Sequence, residues 1–149
     1  MTSTSLPLPD VDDPLTAEFW AAARAGRLML PRCASCEYLQ WPPEKVCPEC
    51  QHTARVWEEF PAEGTLWSFA VYHRALDPAF ADQIPYVVGL IELDAGRKMY
   101  GLMRNEECAV RIGQRVRGVF EQVDERVTFL RWRVVDGAAD EPVETQSGR

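Results

Sequence analysis

The sequence predicts a mainly β protein in which a short helix and a cysteine-rich segment precede a small five-stranded barrel. Three observations predict this architecture. Four of the five cysteines fall within residues 32–50, as two C-x-x-C pairs. One helical stripe of apolar residues precedes them. Five segments of β type, with turn residues between them, follow residue 60.

The bulk composition is that of an ordinary globular domain. The chain has 149 residues, of which 46% are hydrophobic and 26% charged, so we expect one domain or a small module joined to a medium one. No apolar run approaches the roughly 20 residues that span a bilayer. The N-terminus has neither a basic start nor an apolar core. We therefore expect a cytoplasmic protein without membrane association, in which cysteines stay reduced.

The first predicted element is a short helix. Asp13 is a candidate N-cap, Pro14 suits the first helical position, and Gly26 is a candidate stop. Residues 1–12 are polar and contain proline, so we expect them to be disordered. Trp20 lies off the helix stripe and covers either a neighbouring surface of this chain or a partner. The stripe itself consists of Leu15, Phe19, Ala22 and Ala23.

Two strands are predicted to flank the cysteine segment. The stretch "GRLMLPRC" is typical of a strand that enters the first cysteine pair, and "RVWEEF" of a strand that leaves the second. The helix and the cysteine-bearing ribbon form a predicted unit at 13–56, which ends within the second of these strands.

The predicted barrel covers 57–136 and contains five strands. In the longest, Trp67, Phe69 and Val71 alternate with polar or small residues, which predicts that these three share the buried face. Gly89 marks a predicted bulge or bend. A seven-stranded sandwich needs more strands than the sequence contains, so the pattern favours the five-stranded Greek-key barrel called the OB-fold. The acidic tail at 137–149 is predicted to be disordered. In the last strand, a shared face is predicted for Leu130, Trp132 and Val134.

The cysteine pairs are the strongest chemical signal in the sequence. Two facing C-x-x-C turns supply four thiolates at the corners of a tetrahedron, which suits Zn²⁺. A shell closed by four thiolates leaves no position for water or substrate, so such a zinc ion stabilises folding. A redox dithiol, disulfides and iron held as in rubredoxin are the alternatives, and sequence alone does not separate zinc from iron. The predicted ligands are Cys33, Cys36, Cys47 and Cys50.

The remaining reactive side chains form no catalytic pattern. Cys108 follows Glu106 and Glu107, which would raise its pKa, so we interpret it as a small buried hydrophobe. His52 follows the last cysteine and is interpreted as a surface residue. His73 is interpreted as a packed or partly exposed residue of a strand. The sequence therefore predicts no catalytic residues.

The charge distribution bears on what the protein binds. The formal net charge is −7 and the isoelectric point about 4.9, the wrong sign for a protein that binds nucleic acid through its overall field. Residues 97–133 nevertheless contain nine basic and five acidic side chains. They form either a solvated face or a site for the phosphates of a ligand. A single-stranded nucleic-acid-binding module, with Trp67, Phe69 and Tyr72 as stacking platforms, is the alternative function.

The order of these elements resembles a known family, the acyl-CoA-associated zinc-ribbon/OB-fold proteins, formerly a domain of unknown function. The resemblance covers roughly residues 15–135. The segments that carry it are "EFWAAARAGRLMLPRCASC" (18–36), "CPEC" (47–50), "EGTLWSFAVYHR" (63–74), "PYVVGLIEL" (85–93) and "RIGQRVRGVF" (111–120).

The resemblance implies a function that composition does not show. Members of this family are partner subunits of thiolase-like enzymes, which include thiolases, acyltransferases and the lipid-transfer-protein-type aldolases that shorten steroid side chains. It implies that this chain is a non-catalytic accessory subunit in a hetero-oligomer and helps to form a channel for a CoA thioester. It also implies that the four paired cysteines bind one structural zinc. No motif in this sequence designates residues that contact CoA, and no nucleic acid is expected as a partner.

Overall fold

The computed structural model describes residues 6–104 and 109–135, in which one α-helix, one 3-10 helix and seven strands are formed. Cys108 and the tail at 137–149 lie outside the described residues. Within the described part no helix is long and apolar enough to cross a bilayer. The elements are α1 (Ala17–Arg24), β1 (Leu28–Cys33), β2 (Arg55–Phe60), β3 (Glu63–Tyr72), the 3-10 helix (Pro78–Gln83), β4 (Tyr86–Leu93), β5 (Lys98–Leu102), β6 (Arg115–Gln122) and β7 (Thr128–Val134).

The helix begins later than the sequence pattern suggested. Regular α-helix starts at Ala17, so the prediction that Pro14 occupies the first helical position is wrong. The Asp13 carboxylate accepts the N–H of Leu15 (3.0 Å), and the Asp13 carbonyl accepts the N–H of Thr16 (2.9 Å). These bonds hold the chain in a turn that precedes the helix, because a short acidic side chain competes for nearby backbone donors.

The helix ends where the sequence predicts. Gly26 has a φ of 74°, a conformation that glycine adopts without a steric penalty. It lets the N–H of Arg27 reach the Ala22 carbonyl at 2.9 Å, the bond typical of a glycine-terminated helix. Phe19 and Ala22 of the predicted stripe are buried, so the helix packs with its apolar side against the strands.

Two strands form a small separate sheet around the cysteine segment. β1 and β2 pair antiparallel from Leu28 opposite Phe60 to Cys33 opposite Arg55. Leu28 and Leu30 are fully buried, and the loop between the strands, residues 34–54, contains the remaining cysteines. We call β1, this loop and β2 the ribbon. The domain boundaries drawn from the sequence, 13–56 and 57–136, remain predictions.

The other five strands form a nearly closed antiparallel barrel. Their order is β5-β4-β3-β6-β7. A parallel bridge between Met103 and Trp132 joins the two edge strands, and the N–H of Arg104 donates to the Trp132 carbonyl at 2.6 Å. Trp132, Leu66 and Ile91 are fully buried in the barrel core. This topology confirms the predicted OB-fold.

The predicted burial of Trp67 is wrong. Its side chain is 51% exposed, whereas the preceding Leu66 is fully buried. The pairing of β3 with β4 shifts register between Leu66 and Ser68. A bulge of this kind inserts one extra residue and reverses the face that an alternating pattern assigns. Beyond it, Phe69 and Val71 pack against the core as predicted.

Gly89 is a packing position within a regular part of the ladder and not a bulge. A Cβ atom added there would come within 2.9 Å of the Leu66 and Met103 side chains. Glycine therefore allows these two core side chains to approach the backbone of β4. The predicted shared face of the last strand is confirmed, because three of its residues lie in or against the core: Leu130, Trp132 and Val134.

Candidate metal centre and adjoining cavities

The structure brings the four predicted metal-binding cysteines together. All four sulfur atoms lie within 4.8 Å of one another. The Sγ atoms of Cys33 and Cys50 are 3.5 Å apart, and those of Cys36 and Cys47 are 3.7 Å apart. In a tetrahedral zinc site with Zn–S bonds of about 2.3 Å, neighbouring sulfurs are about 3.8 Å apart. The donor set and its spacing therefore fit one zinc ion.

The two cysteine turns are built alike. In the first, the N–H of Glu37 donates to the Cys33 carbonyl (3.1 Å), and the N–H of Cys33 donates to the Tyr38 carbonyl (2.9 Å). In the second, the N–H of Gln51 donates to the Cys47 carbonyl (2.8 Å). Glu37 and Gln51 both have a φ near 65°. This left-handed residue after each pair turns the chain back, so that both cysteines of a pair face one point.

The electrostatics of the cluster call for a cation. The backbone N–H of Cys36 lowers the pKa of Cys33 to about 6. The N–H of Tyr38 acts in the same sense on Cys36, but burial and the neighbouring thiols outweigh it and raise the pKa of Cys36 to about 12. Four crowded sulfurs therefore do not all ionise unaided, whereas a divalent ion deprotonates the thiols that coordinate it.

The geometry of the cluster bears on the three alternatives to zinc that the sequence left open. The four cysteines are free thiols in the structure, and the Cys33–Cys50 and Cys36–Cys47 sulfur distances of 3.5 Å and 3.7 Å exceed the length of a disulfide bond, about 2.05 Å. A redox dithiol requires one pair, whereas two pairs converge here. Four thiolates in a tetrahedral arrangement bind iron as well as zinc, and the geometry of these thiols is compatible with either metal.

The histidines lie apart from any metal site. Within the described residues the four cysteines are the one group of three or more metal-binding side chains. The His52 side chain is exposed. Its backbone carbonyl accepts a hydrogen bond from the Cys47 N–H at 2.9 Å and so belongs to the second cysteine turn. His73 is exposed in a bend just after β3. Among residues 6–104 and 109–135, neither histidine has a partner typical of catalysis.

An arginine of the barrel fastens the ribbon in place. Arg97, in the turn between β4 and β5, donates from Nε to the Leu39 carbonyl at 2.7 Å. Its guanidinium carbon lies 4.1 Å from the centre of the Tyr38 ring. Tyr38 and Leu39 follow the first cysteine pair directly, so this contact joins the metal-binding turn to the barrel. A hydrogen bond and a cation–π contact at one side chain give the join a defined geometry.

An apolar cavity of about 500 Å³ lies where the helix, the ribbon and the barrel meet. The Phe19 ring contacts Trp20 and Trp41, both at 5.0 Å between ring centres, and Trp20 contacts Phe129 at 6.2 Å. Trp20 thus covers a surface of its own chain, the first of the two alternatives that the sequence left open. Aromatic residues from α1, the ribbon loop, the 3-10 helix, β5 and β7 line the cavity: Phe19, Trp20, Trp41, Phe80, Tyr100 and Phe129.

A second, polar cavity of about 530 Å³ adjoins the first. The two cavities share Leu6, Leu102 and Arg131 as lining residues. In the second cavity Arg131 donates to Glu121 at 3.1 Å, and Arg104 approaches the other oxygen of Glu121 at 3.8 Å. Two guanidinium groups thus share one carboxylate, which leaves an excess positive charge beside an apolar space.

Most of the basic side chains in 97–133 are already engaged. Their carboxylate partners lie 2.7 to 3.8 Å away, so little of the local positive charge is left for a ligand. Within the described residues, Arg97, Arg111 and Arg133 form no ion pair with a carboxylate, and Arg97 donates instead to the Leu39 carbonyl. The remaining ion pairs join Lys98 to Glu92, Arg115 to Asp94, Arg117 to Glu63 and Arg126 to Asp12.

The class of protein follows from the fold and the cysteine site: a rubredoxin-like zinc ribbon joined to an OB-fold barrel. Family models agree, one for the rubredoxin-like zinc ribbon domain of ChsH2 at residues 20–55 and one for its C-terminal OB-fold domain at residues 57–121. The chain is 31% identical to a DUF35 domain-containing scaffold protein of Methanocaldococcus jannaschii, over 63% of this chain and 67% of that protein. The chain belongs to the DUF35 family of ChsH2-type proteins.

Two further relatives connect the fold with enzymes. The chain is 40% identical over 84 residues to a probable enoyl-CoA hydratase alpha subunit of Thermomonospora curvata, 54% of this chain but 25% of that protein. The chain thus spans about a quarter of that relative. It also matches a chain of the solved Ltp2-ChsH2(DUF35) aldolase, with a TM-score of 0.73 and 30% identity, over 82% of this chain and 95% of that chain.

Proposed function

We propose that this protein is a non-catalytic, zinc-containing accessory subunit of a thiolase-like enzyme that acts on acyl-CoA. The observation that carries the proposal is the match to a chain of the Ltp2-ChsH2(DUF35) aldolase, which extends over 95% of that chain. The enzyme partner is a thiolase, an acyltransferase or an aldolase that cleaves side chains. The complex is a hetero-oligomer.

The cysteine cluster supports a structural and not a catalytic role for the metal. We propose that the four thiolates hold one zinc per chain and close its coordination shell: Cys33, Cys36, Cys47 and Cys50. Cys33 and Cys47 are buried at the base of the turns. When bound, the ion supplies cross-linking between the two turns of the ribbon. The remaining chain positions the ribbon against the barrel through Arg97.

The paired cavities support a contribution to the thioester channel. An acyl-CoA has an apolar acyl chain at one end and charged phosphates at the other. The apolar cavity is lined by rings such as Trp41 and Phe129, and the adjoining cavity contains Arg104 and Arg131. An apolar space with a few convergent polar groups is the usual form of a ligand site. We propose that the acyl chain passes through the apolar cavity.

The experiment is co-expression with a thiolase-like enzyme of the source organism. We expect the two chains to elute as one complex in size-exclusion chromatography with light scattering, and the enzyme to require this chain for full turnover of acyl-CoA. Full turnover by the enzyme alone, or turnover of a thioester by this chain alone, would contradict the proposal.

The channel is tested by filling the apolar cavity without touching the barrel core. Thr16 lines the cavity at the start of α1, whereas Glu18 on the same helix is exposed. We expect Thr16→Trp to raise the KM for acyl-CoA about tenfold, a loss of about 1.4 kcal/mol of binding. Glu18→Trp is the matched control and should leave the KM unchanged. Equal KM values for both variants would exclude this cavity as part of the channel.

A further inference from the structure

The outer surface of the barrel is apolar on strands β3, β4 and β5. The solvent-facing side of an antiparallel sheet usually has polar side chains instead. On β4, Val87, Gly89 and Ile91 are buried, and the residues between them point outward. Register places Leu90 beside Tyr100 of β5. We call this surface the outer face, and its six residues are Trp67, Tyr72, Tyr86, Val88, Leu90 and Tyr100.

Two aromatic residues of the outer face are exposed, and two more stack on each other. Tyr100 is 74% exposed and Trp67 is 51% exposed. The rings of Tyr72 and Tyr86 stack face to face, with centres 5.0 Å apart and planes 7° apart. Exposed clusters of tyrosine and tryptophan are typical of the centres of protein interfaces.

Two charged residues, Lys98 and Glu92, lie beside the outer face and neutralise each other. Lys98 lies with its Nζ 4.7 Å from the centre of the Trp67 ring and 3.7 Å from a carboxylate oxygen of Glu92. The bulge in β3 is what brings Trp67 to this side, beside Lys98. Because the lysine and the glutamate pair with each other, a partner covering the face leaves no unpaired charge there.

The size of the face suits part of a protein interface. With a rise of about 3.3 Å per residue and strands about 4.8 Å apart, it measures about 20 Å by 15 Å. This is about 300 Å², below the roughly 800 Å² per partner of a standard interface. The loop from Tyr72 to Tyr86 adds two more exposed apolar residues at its edge, Leu76 (74% exposed) and Ile84 (39% exposed).

We propose that the outer face, with this loop, is the surface on which the thiolase-like enzyme docks. The inference rests on the proposed function. Tyr100 belongs to the outer face and also lines the apolar cavity. An enzyme seated on the face therefore lies at the cavity wall, where a thioester leaving the cavity meets its reacting groups. A second copy of this chain seated there brings no such groups.

Nucleic acid is the other macromolecule that OB-fold barrels bind on strands equivalent to β4 and β5. The observations favour a protein. Phe69, one of the three predicted stacking residues, packs against the core. The one lysine of the face pairs with Glu92, and the chain carries a net charge of −7. A face without free positive charge does not attract a phosphate backbone.

The test measures the affinity of purified variants for the thiolase-like enzyme used in the co-expression experiment. Tyr100→Glu and Trp67→Glu change exposed side chains, and Val56→Glu is the matched control, because Val56 is 59% exposed on β2 of the ribbon. We expect Tyr100→Glu and Trp67→Glu each to raise the Kd about 30-fold or more, the size of an interface hot spot. Val56→Glu should change it less than about threefold. Circular dichroism and thermal unfolding verify that all variants fold.

Each result bears on a separate statement. Failure of the unaltered chain to bind the enzyme refutes the accessory role itself. Equal binding by all three variants refutes the outer face as the docking surface and leaves the accessory role standing. A change from dimer to monomer in Tyr100→Glu, with enzyme binding intact, assigns the face to a second copy and overturns the inference. Salt-sensitive binding of single-stranded DNA that Tyr100→Glu abolishes, with enzyme binding intact, overturns it as well.

Discussion

Replacement of one metal-binding cysteine should unfold the ribbon while the barrel persists. In the ribbon loop, residues 34–54, Leu39 is the one large apolar side chain that is buried, and its burial contributes about 1.5–3 kcal/mol. The apparent free energy of binding of structural zinc is about 10–16 kcal/mol in zinc-finger peptides, where it is also folding free energy. The metal therefore dominates the stability of this segment. We expect Cys47→Ser to lose most of the zinc and most of that free energy.

The assay has a chemical and a local readout. Elemental analysis should find about one zinc per unaltered chain and much less in Cys47→Ser. Hydrogen exchange should show the amides of Glu37 and Gln51 protected in the unaltered chain, because each donates to a cysteine carbonyl, and unprotected in the variant. Cys108→Ser, which removes the fifth cysteine, is the control and should keep its zinc. A metal-free chain with both amides protected would refute the reasoning.

Two further predictions concern the barrel. A Cβ atom at Gly101 would overlap the indole of the fully buried Trp132, so Gly101→Ala should cost about 1–3 kcal/mol and lower the thermal midpoint by several degrees, and an unchanged midpoint would contradict this packing. Arg115 lowers the pKa of Asp94 below its ordinary value of 3.8, so the ion pair stabilises the fold above that pH and the contribution disappears as pH falls. Urea unfolding should show Asp94→Asn less stable by about 0.2–1 kcal/mol at pH 7, and this difference should shrink as the pH falls below 3.8; a difference that stays constant with pH would be inconsistent with the pair.

The main elements were predictable because each depends on a short local pattern. The helix stop at Gly26 needs one glycine in the right place, and the five barrel strands need alternation between turns. The position of Trp67 was not predictable in this way. One inserted residue changes the face of a side chain, and a bulge is visible only when the partner strand is known. The start of the helix was misjudged because the Asp13 carboxylate bonds to a turn.

The cysteine cluster could be predicted from the sequence, whereas the cavities could not. Spacing alone predicted the metal site that contains Cys33 and Cys47. Each C-x-x-C turn brings its own two sulfurs together, and two such turns supply the four ligands of one zinc ion. The apolar cavity gathers residues that are far apart in the chain, such as Leu6, Trp41 and Phe129. No local pattern marks them as neighbours, since each is also a plausible core residue. Their meeting depends on how the ribbon packs against the barrel.

The contact between Arg97 and the ribbon has a mechanical consequence. The four residues from Tyr38 to Trp41 begin at the metal-binding turn and end in the wall of the apolar cavity. Arg97 attaches this segment to the barrel through its hydrogen bond to the Leu39 carbonyl. Loss of a bound metal ion would release the metal-binding end of this segment and let Trp41, at its other end, move away from the cavity wall. Metal depletion would therefore deform the apolar cavity before the barrel itself unfolded.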